Sequence, residues 1–310
     1  MDNLTHSLVG ALLGQAGLKR KTELAMPALI IGANIPDIDA ACLLWLDGVE
    51  HLGFRRGITH GPIALVVLPL LVAGGLWWFD RWQAQRGTRP EARLRVNFGW
   101  LLALAFLATL THPALDWLNV YGVRLLEPFS SRWFYGDTLF IIDVWLWALM
   151  GFATWFSLRR EKRGGEWMRP ARIAMAVGLA YIALNSWNTS RIERALSNHG
   201  ADPHLIVSPL PVTFWDRELI MGSGVPRKYE WGTVYASWGD RAVRPQFCSL
   251  PSIRSLRGHP QVDAFLFWSR APFAERAPDG SVLLRDARFY DPLSRDRFTV
   301  ALPDVRCEPL

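Results

Sequence analysis

Residues 34–39 (NIPDID) close a long apolar segment, and residues 55–60 (RRGITH) open the next one. An aspartate at the centre of a membrane helix costs about 2.5 to 3.5 kcal/mol. Asp37 and Asp39 therefore need a compensating partner, and a bound cation is the simplest one. The functional question is which other side chains of the chain could share that cation.

Apolar residues are unevenly distributed along the 310-residue chain. Up to about residue 190 long apolar runs follow one another, whereas the remainder reads as an ordinary soluble chain. We therefore expect an all-α polytopic membrane bundle of about five to six spans in residues 1–190. Residues 191–310 are expected to form a smaller soluble extracytoplasmic domain, β-rich or α+β, because short runs between turn residues are typical of strands. Those runs are residues 205–207, 232–237, 264–268 and 297–302.

The positive charges indicate a membrane topology. The net charge is +6, but much of the excess lies in loops between apolar runs, at residues 19–21, 81–95 and 159–172. This pattern favours a topology signal over a nucleic-acid surface, so no nucleic-acid partner is expected. With these loops in the cytoplasm, the alternation of spans places the C-terminal domain outside. Cys248 and Cys307 in that domain could form a disulfide, although two cysteines alone do not decide it.

The same alternation collects histidine and aspartate side chains at the outer ends of the runs. His112 and Asp116 are spaced i, i+4 and share a helix face. Pro36 disfavours a helical conformation at Ile35, so a broken helix there could let both neighbouring carboxylates converge. A single His or Asp at a helix end is often only a cap, but six on one face favour a metal site. The predicted metal ligands are His6, Asp37, Asp39, His60, His112 and Asp116.

Imidazole and carboxylate ligands together suit Zn²⁺, with Mn²⁺ or Fe²⁺ as alternatives, and six ligands suffice for one or two ions. Asp137 is a candidate general base and Asp143 a supporting carboxylate, which could instead pair with Arg124 or Arg132. Arg56 is the third candidate catalytic residue. Together with Arg124 and Arg132 it could hold a phosphate by charge-assisted hydrogen bonds.

An ordered set of sequence blocks resembles the YdjM-like family, in its YfhP-like branch. These bacterial inner-membrane proteins are described as membrane-bound metal-dependent hydrolases, which implies the same location and chemistry here. The resemblance covers roughly residues 1–160, and two departures stand out: Arg55 where the family often has His, and Gly61 where it has Ser. The blocks are residues 5–7 (THS), 34–39 (NIPDID), 56–60 (RGITH), 111–116 (THPALD) and 121–130 (YGVRLLEPFS).

The chain order of the candidate ligands is also similar to that of zinc-dependent phospholipase C and its related single-strand nucleases, which implies a phosphoesterase. The leading hypothesis is a metal-dependent hydrolase of the inner membrane that acts on a lipid or lipid-linked phosphoester at the outer face, with membrane lipids as partners. Two alternatives stay open: an ion- or proton-coupled transporter, in which intramembrane Asp and His form an ion path, and a non-catalytic scaffold whose metal fastens helix ends. Substrate and oligomeric state are not readable from the sequence.

Overall fold

The computed structural model describes the following residues: 1–91, 95–197, 205–222, 231–236, 248, 258–290 and 294–307. The chain divides into two compact units. The first comprises Met1–Asp39 and Arg56–Asn185, and the second comprises Ala40–Arg55 and Ser186–Leu310. Segment 40–55, which composition assigns to the membrane part, thus groups with the C-terminal part.

The described elements are mostly helical before residue 200 and mostly extended after it. In chain order the helices are α1 (Asn3–Gln15), α2 (Ala25–Asn34), α3 (His51–Phe54), α4 (Pro62–Gln85), α5 (Phe98–Trp117), α6 (Val144–Lys162), α7 (Met168–Ser197) and α8 (Pro260–Trp268). The strands are β1 (Ile206–Pro209), β2 (Arg217–Gly222), β3 (Trp231–Ala236), β4 (Pro272–Arg276), β5 (Ser281–Asp286) and β6 (Thr299–Arg306).

Three helical segments in the described part of the chain are long and apolar enough to cross a membrane. They are Ala25–Leu44, Pro62–Gln85 and Phe98–Trp117. The expected count of about five to six spans is not supported. The apolar runs expected at the remaining positions do form helices, but α6 carries Arg159, Arg160 and Lys162 in its last turn. Helix α1 has only 13 residues, fewer than the roughly 20 that a span needs.

Two glycines allow the helices of the first unit to approach closely. A Cβ atom on Gly10 of α1 would lie 2.6 Å from the carbonyl oxygen of Leu29 in α2. A Cβ atom on Gly32 of α2 would lie 2.9 Å from the carbonyl oxygen of Ala105 in α5. Since backbone atoms cannot move aside as side chains do, only glycine permits these contacts. The backbone of α2 therefore packs directly against the backbones of α1 and α5.

The proline-interrupted segment ends α2, but Ile35 keeps a helical backbone with φ −60° and ψ −28°, contrary to the expectation that Pro36 disfavours it. Helix α2 ends at Asn34, and the chain continues as a 3₁₀ helix over Ile35–Leu44. A 3₁₀ helix has about 3.0 residues per turn, so side chains two positions apart point roughly 120° apart, against roughly 160° in an α-helix. Asp37 and Asp39 therefore diverge less than they would on a continuous α-helix.

The second unit contains two small antiparallel sheets in the order β1-β2-β3 and β4-β5-β6. In the first sheet Ile206 is paired with Ile220, and both side chains are buried. Cys248 and Cys307 form a disulfide, which answers the question that the sequence left open. The expectation of a C-terminal domain with β structure is therefore confirmed for the described residues.

One expected strand is instead a helix. The apolar run at residues 264–268 lies in α8, which begins with Pro260 at its first turn. Val262, Phe265 and Trp268 are fully buried, and their spacing of three residues places them on one face of a helix. The strand prediction was wrong because a five-residue apolar run does not reveal its period without the residues before it.

Candidate metal centre

Four separate segments of the first unit deliver the predicted ligands. His6 lies on α1, the two aspartates on the 3₁₀ helix after α2, and His60 at the end of a short 3₁₀ turn, Ile58–His60. His112 and Asp116 lie one turn apart on α5. All six predicted ligands are buried, and both α5 residues, His6 and His60 are fully so.

Asp116 lies at the centre of the imidazole rings. Its Oδ2 atom is 3.2 Å from His60 Nε2 and 3.5 Å from His112 Nε2, and its Oδ1 atom is 3.5 Å from His6 Nε2. His112 Nε2 is in turn 3.8 Å from Asp37 Oδ1. The rings of His6 and His112 are stacked with centroids 3.7 Å apart. The i, i+4 spacing on α5 thus brings the two side chains together as expected.

These side chains form two groups with the spacing of metal ligands. One is His6, Asp37 and His112, and the other is His60, His112 and Asp116. Within each group the ligand atoms lie within 4.8 Å of one another. Because His112 belongs to both groups, the five residues could hold one ion or two neighbouring ions. We call this set the His/Asp cluster.

The polar atoms inside the cluster have the character of metal ligands. His60 Nε2, His112 Nε2 and Asp116 Oδ2 are buried and lack a hydrogen-bond partner, although buried polar groups are nearly always satisfied. Both nitrogen atoms of His6 are in the same condition, and burial lowers the pKa of His6 and favours its neutral form. Neutral imidazole and ionised carboxylate are the forms that bind divalent metals. The residues present therefore fit such an ion.

Backbone and side-chain contacts orient two of the imidazoles. His112 Nδ1 lies 2.6 Å from the carbonyl oxygen of Ala33 and donates to it, so Nε2 carries the lone pair. Thr59 Oγ1 donates to Asp39 Oδ2 at 3.1 Å and lies 3.0 Å from His60 Nδ1. Since the threonine hydrogen is used by Asp39, the hydroxyl oxygen accepts from His60 Nδ1. Both rings therefore direct Nε2 into the cluster.

Asp39 lies outside both groups. Its Oδ2 atom accepts hydrogen bonds from the backbone nitrogen of Arg56 at 2.7 Å and from Thr59. The sequence predicted a metal ligand at this position. In the structure the carboxylate instead binds the loop that carries His60. Outer partners of this kind fix the orientation of metal ligands.

Arg56 is a partner of Asp116. Its Nη2 atom lies 3.1 Å from Asp116 Oδ1, and its Nη1 atom donates to Asn119 Oδ1 at 3.1 Å and to the carbonyl oxygen of Gly122 at 3.3 Å. The guanidinium also lies over the Tyr121 ring. The amino group of the first residue contacts the same carboxylate oxygen. Two positively charged groups thus contact Asp116, and the guanidinium fork is largely occupied by the protein itself.

The remaining predicted residues lie in different surroundings. Asp143 caps α6 by accepting from the backbone of Trp145 and Leu146, and it accepts from the Tyr181 hydroxyl at 2.9 Å. Asp137 is buried, with a positive φ of 44° that is uncommon outside glycine. Its chain neighbour Thr138 donates its backbone N–H to Leu118 beside the end of α5.

The two other arginines considered for phosphate binding differ in exposure. Arg124 is buried, and its Nη1 atom lies 3.0 Å from Glu127 Oε2. Arg132 is exposed. Sequence reasoning missed Asn119, which is fully buried and whose Oδ1 atom accepts a hydrogen bond from Arg56 Nη1. Asn119 lies just beyond α5, in an isolated β-bridge with Leu139, so helical spacing gave no signal for it.

The fold and the cluster define a class: a membrane protein with buried histidines and aspartates that could hold a metal ion. A family model described as YdjM inner membrane protein matches residues 1–192. The chain belongs to this family and is an inner membrane protein. It is 25% identical over 167 residues to the uncharacterized protein YfhP of Bacillus subtilis (strain 168), a match that covers 51% of this chain and 47% of that protein. The chain thus spans about half the length of this relative, and no solved structure matches.

Proposed function

We propose that the protein is a metal-dependent hydrolase of the inner membrane that cleaves a phosphoester of a lipid or lipid-linked molecule at the outer membrane face. The observation that carries this proposal is the His/Asp cluster, whose buried, hydrogen-bond-free Nε2 atoms point at one carboxylate. A scaffold needs no such convergence of three imidazoles, since a pair of ligands from two helices would fasten them.

The ligand set favours zinc, with manganese or iron as alternatives. His6, Asp37, His60, His112 and Asp116 would hold one or two ions. When bound, such an ion polarises a phosphoryl oxygen and provides a water nucleophile at neutral pH.

The chain's own residues have supporting roles around this chemistry. Ala33 and Thr59 orient two imidazoles, and Arg56 holds Asp116 in place. Asp137 remains our candidate for moving the proton of the attacking water. It is buried, and the next residue, Thr138, donates its backbone N–H to Leu118 at the end of α5, the helix that carries His112 and Asp116.

Two observations support the proposed sidedness. The basic residues in segments 19–21 and 81–91 lie at the ends of apolar segments opposite to the cluster, as the preference of Lys and Arg for the cytoplasm requires. The disulfide between Cys248 and Cys307 supports an oxidising compartment for the second unit. A reporter enzyme fused after residue 310 is expected to be active only outside the cytosol, and cytosolic activity would refute the orientation.

The central test measures metal and turnover in the same preparations. Purified wild-type protein, His112→Ala and the control His259→Ala are analysed for bound metal and assayed against phosphodiesters and phospholipids. His259 is exposed and lies outside the cluster. We expect metal and turnover in the wild type and in His259→Ala, and a loss of both in His112→Ala, which is a ligand in both groups.

Other outcomes identify the alternatives. Metal that is lost in His112→Ala, without turnover of any substrate by the wild type, would favour a structural metal and refute the hydrolase. Ion flux into liposomes that disappears in Asp37→Asn would favour a transporter.

A further inference from the structure

A half-open cavity of about 310 Å³ lies in the first unit between α1, α5, α6 and α7, and its lining residue Leu179 is 65% exposed. This volume falls within the range of about 300–1,000 Å³ that is typical of ligand pockets. Apart from Thr5 and Thr111, every described residue that lines it is apolar or glycine, among them Val9, Leu115 and Met150. The cavity is therefore large enough for part of a ligand, and its walls are those of a hydrocarbon site.

Neither threonine offers a free hydroxyl hydrogen to an occupant. Thr5 Oγ1 donates to Asp2 Oδ2 at 2.6 Å and accepts from Trp147 Nε1 at 2.9 Å. Thr111 Oγ1 donates to the carbonyl oxygen of Ala108 at 2.6 Å. A buried water needs about two to four polar partners, which this lining does not supply. The apolar lining therefore suits an apolar occupant better than water.

The cavity and the His/Asp cluster share two helices, α1 and α5. The lining residue Thr5 directly precedes His6 on α1. On α5, the lining residues Thr111 and Leu115 directly precede His112 and Asp116. Adjacent faces of α1 and α5 thus carry an apolar cavity and a set of polar metal ligands. This is the arrangement that an amphiphile with a charged head and a hydrocarbon tail requires.

We propose that the cavity binds one hydrocarbon chain of a phosphate-headed lipid whose head group lies at the His/Asp cluster. The position of the head group rests on the proposed function, whereas the binding of the chain rests on the cavity alone. Straight acyl or alkyl chains and prenyl chains share this chemistry, and the experiment separates them.

The test fills the cavity from one helix. A Cβ atom on Gly178 of α7 would lie 3.8 Å from Leu149 and 3.9 Å from Leu146, which are ordinary contacts, so Gly178→Leu places its larger side chain in the cavity. Gly151→Leu on α6 is the matched control, because its Cβ atom would meet nothing within 4 Å and Gly151 does not line the cavity.

The probes are a single-chain alkyl phosphate and a prenyl phosphate, each with a photoreactive group on the chain, incubated with protein in detergent and mapped by mass spectrometry. In the wild type and in Gly151→Leu we expect labels on cavity-lining residues of α1, α5, α6 or α7, and in Gly178→Leu a loss of these labels. The probe that labels more strongly identifies the chain type. The wild-type map tests the proposal even if Gly178→Leu does not fold.

Labels confined to residues outside the cavity, or equal labelling in all three proteins, would overturn the inference. Turnover of a water-soluble phosphodiester and of phospholipids by the wild type is measured in parallel. Turnover without cavity labelling would leave the hydrolase standing and reject the chain site. Cavity labelling without any turnover would support the chain site and reject the hydrolase.

Discussion

Replacing Gly10 by alanine tests whether the close approach of two helices holds the metal centre together. Gly10 lies on α1, one turn after His6. The added Cβ atom would lie 2.6 Å from the carbonyl oxygen of Leu29, and contacts under 3.4 Å are already tighter than most. Helix α1 must therefore retreat by up to 0.8 Å, the difference between 3.4 and 2.6 Å. His6 lies on the same helix, so we expect its position relative to Asp37 and His112 to change.

The energetic effect has two opposing parts. Alanine is favoured over glycine inside a helix by about 0.5–1 kcal/mol, whereas overpacking a close contact costs about 1–3 kcal/mol. The obstacle here is backbone, so we expect the cost to lie at the upper end and the net destabilisation to be about 1–2 kcal/mol. Bound metal is expected to decrease in parallel, because a misplaced ligand binds the ion less tightly.

The assay compares Gly10→Ala with Gly74→Ala by thermal unfolding in detergent and by metal content per protein. A Cβ atom on Gly74 of α4 would meet nothing within 4 Å, so this control should gain the helix propensity without any clash. We expect a lower melting temperature and less metal for Gly10→Ala alone. If Gly10→Ala retains the wild-type melting temperature and metal content, the packing argument is refuted.

Two further predictions concern the support of the cluster and the second unit. Thr59→Ala removes the hydroxyl beside His60 Nδ1 and should weaken metal binding about 10- to 100-fold, as measured by metal titration. Thr59→Ser keeps a hydroxyl and should restore the affinity. Equal affinity in the wild type and both variants would exclude the orienting role. Burial alone would raise the pKa of Asp286, but the charge and hydrogen bonds of Arg288 outweigh it, so the pKa is lowered. The ion pair therefore stabilises the folded second unit above the unfolded pKa of about 3.9, and this stability is lost as the pH falls through the lower folded value. Asp286→Ala should cost about 3–5 kcal/mol near neutral pH and remove this acid dependence, whereas Asp304→Ala, at an exposed site, should do neither in pH-dependent melting.

Local sequence rules predicted the parts of the centre that depend on local geometry. The i, i+4 spacing placed His112 and Asp116 together, with Nε2 and Oδ2 3.5 Å apart. A helix break was expected near Pro36, and α2 does end at Asn34, but Ile35 has a helical backbone (φ −60°, ψ −28°), so the proline rule does not explain the break. That Asp37 faces His112 while Asp39 supports the His60 loop depends on the 3₁₀ continuation, which the proline permits but does not dictate.

Long-range contacts were beyond the sequence. The guanidinium of Arg56 looked available for a phosphate, but it binds Asn119 and Gly122, more than 60 residues further along the chain. Asp143 is at an apolar boundary, where a cap and a catalytic carboxylate have the same sequence signature. The expected count of about five to six spans is not supported, because three described helical segments are long and apolar enough to cross a membrane.

X-ray absorption spectroscopy of the metal in purified protein tests the central claim most directly. The His/Asp cluster predicts a first shell of nitrogen and oxygen only, at about 2.0–2.2 Å for zinc. It also predicts the multiple scattering of imidazole, reduced in His112→Ala. Sulfur in the first shell, a shell of oxygen without imidazole, or protein that binds no metal would contradict the account.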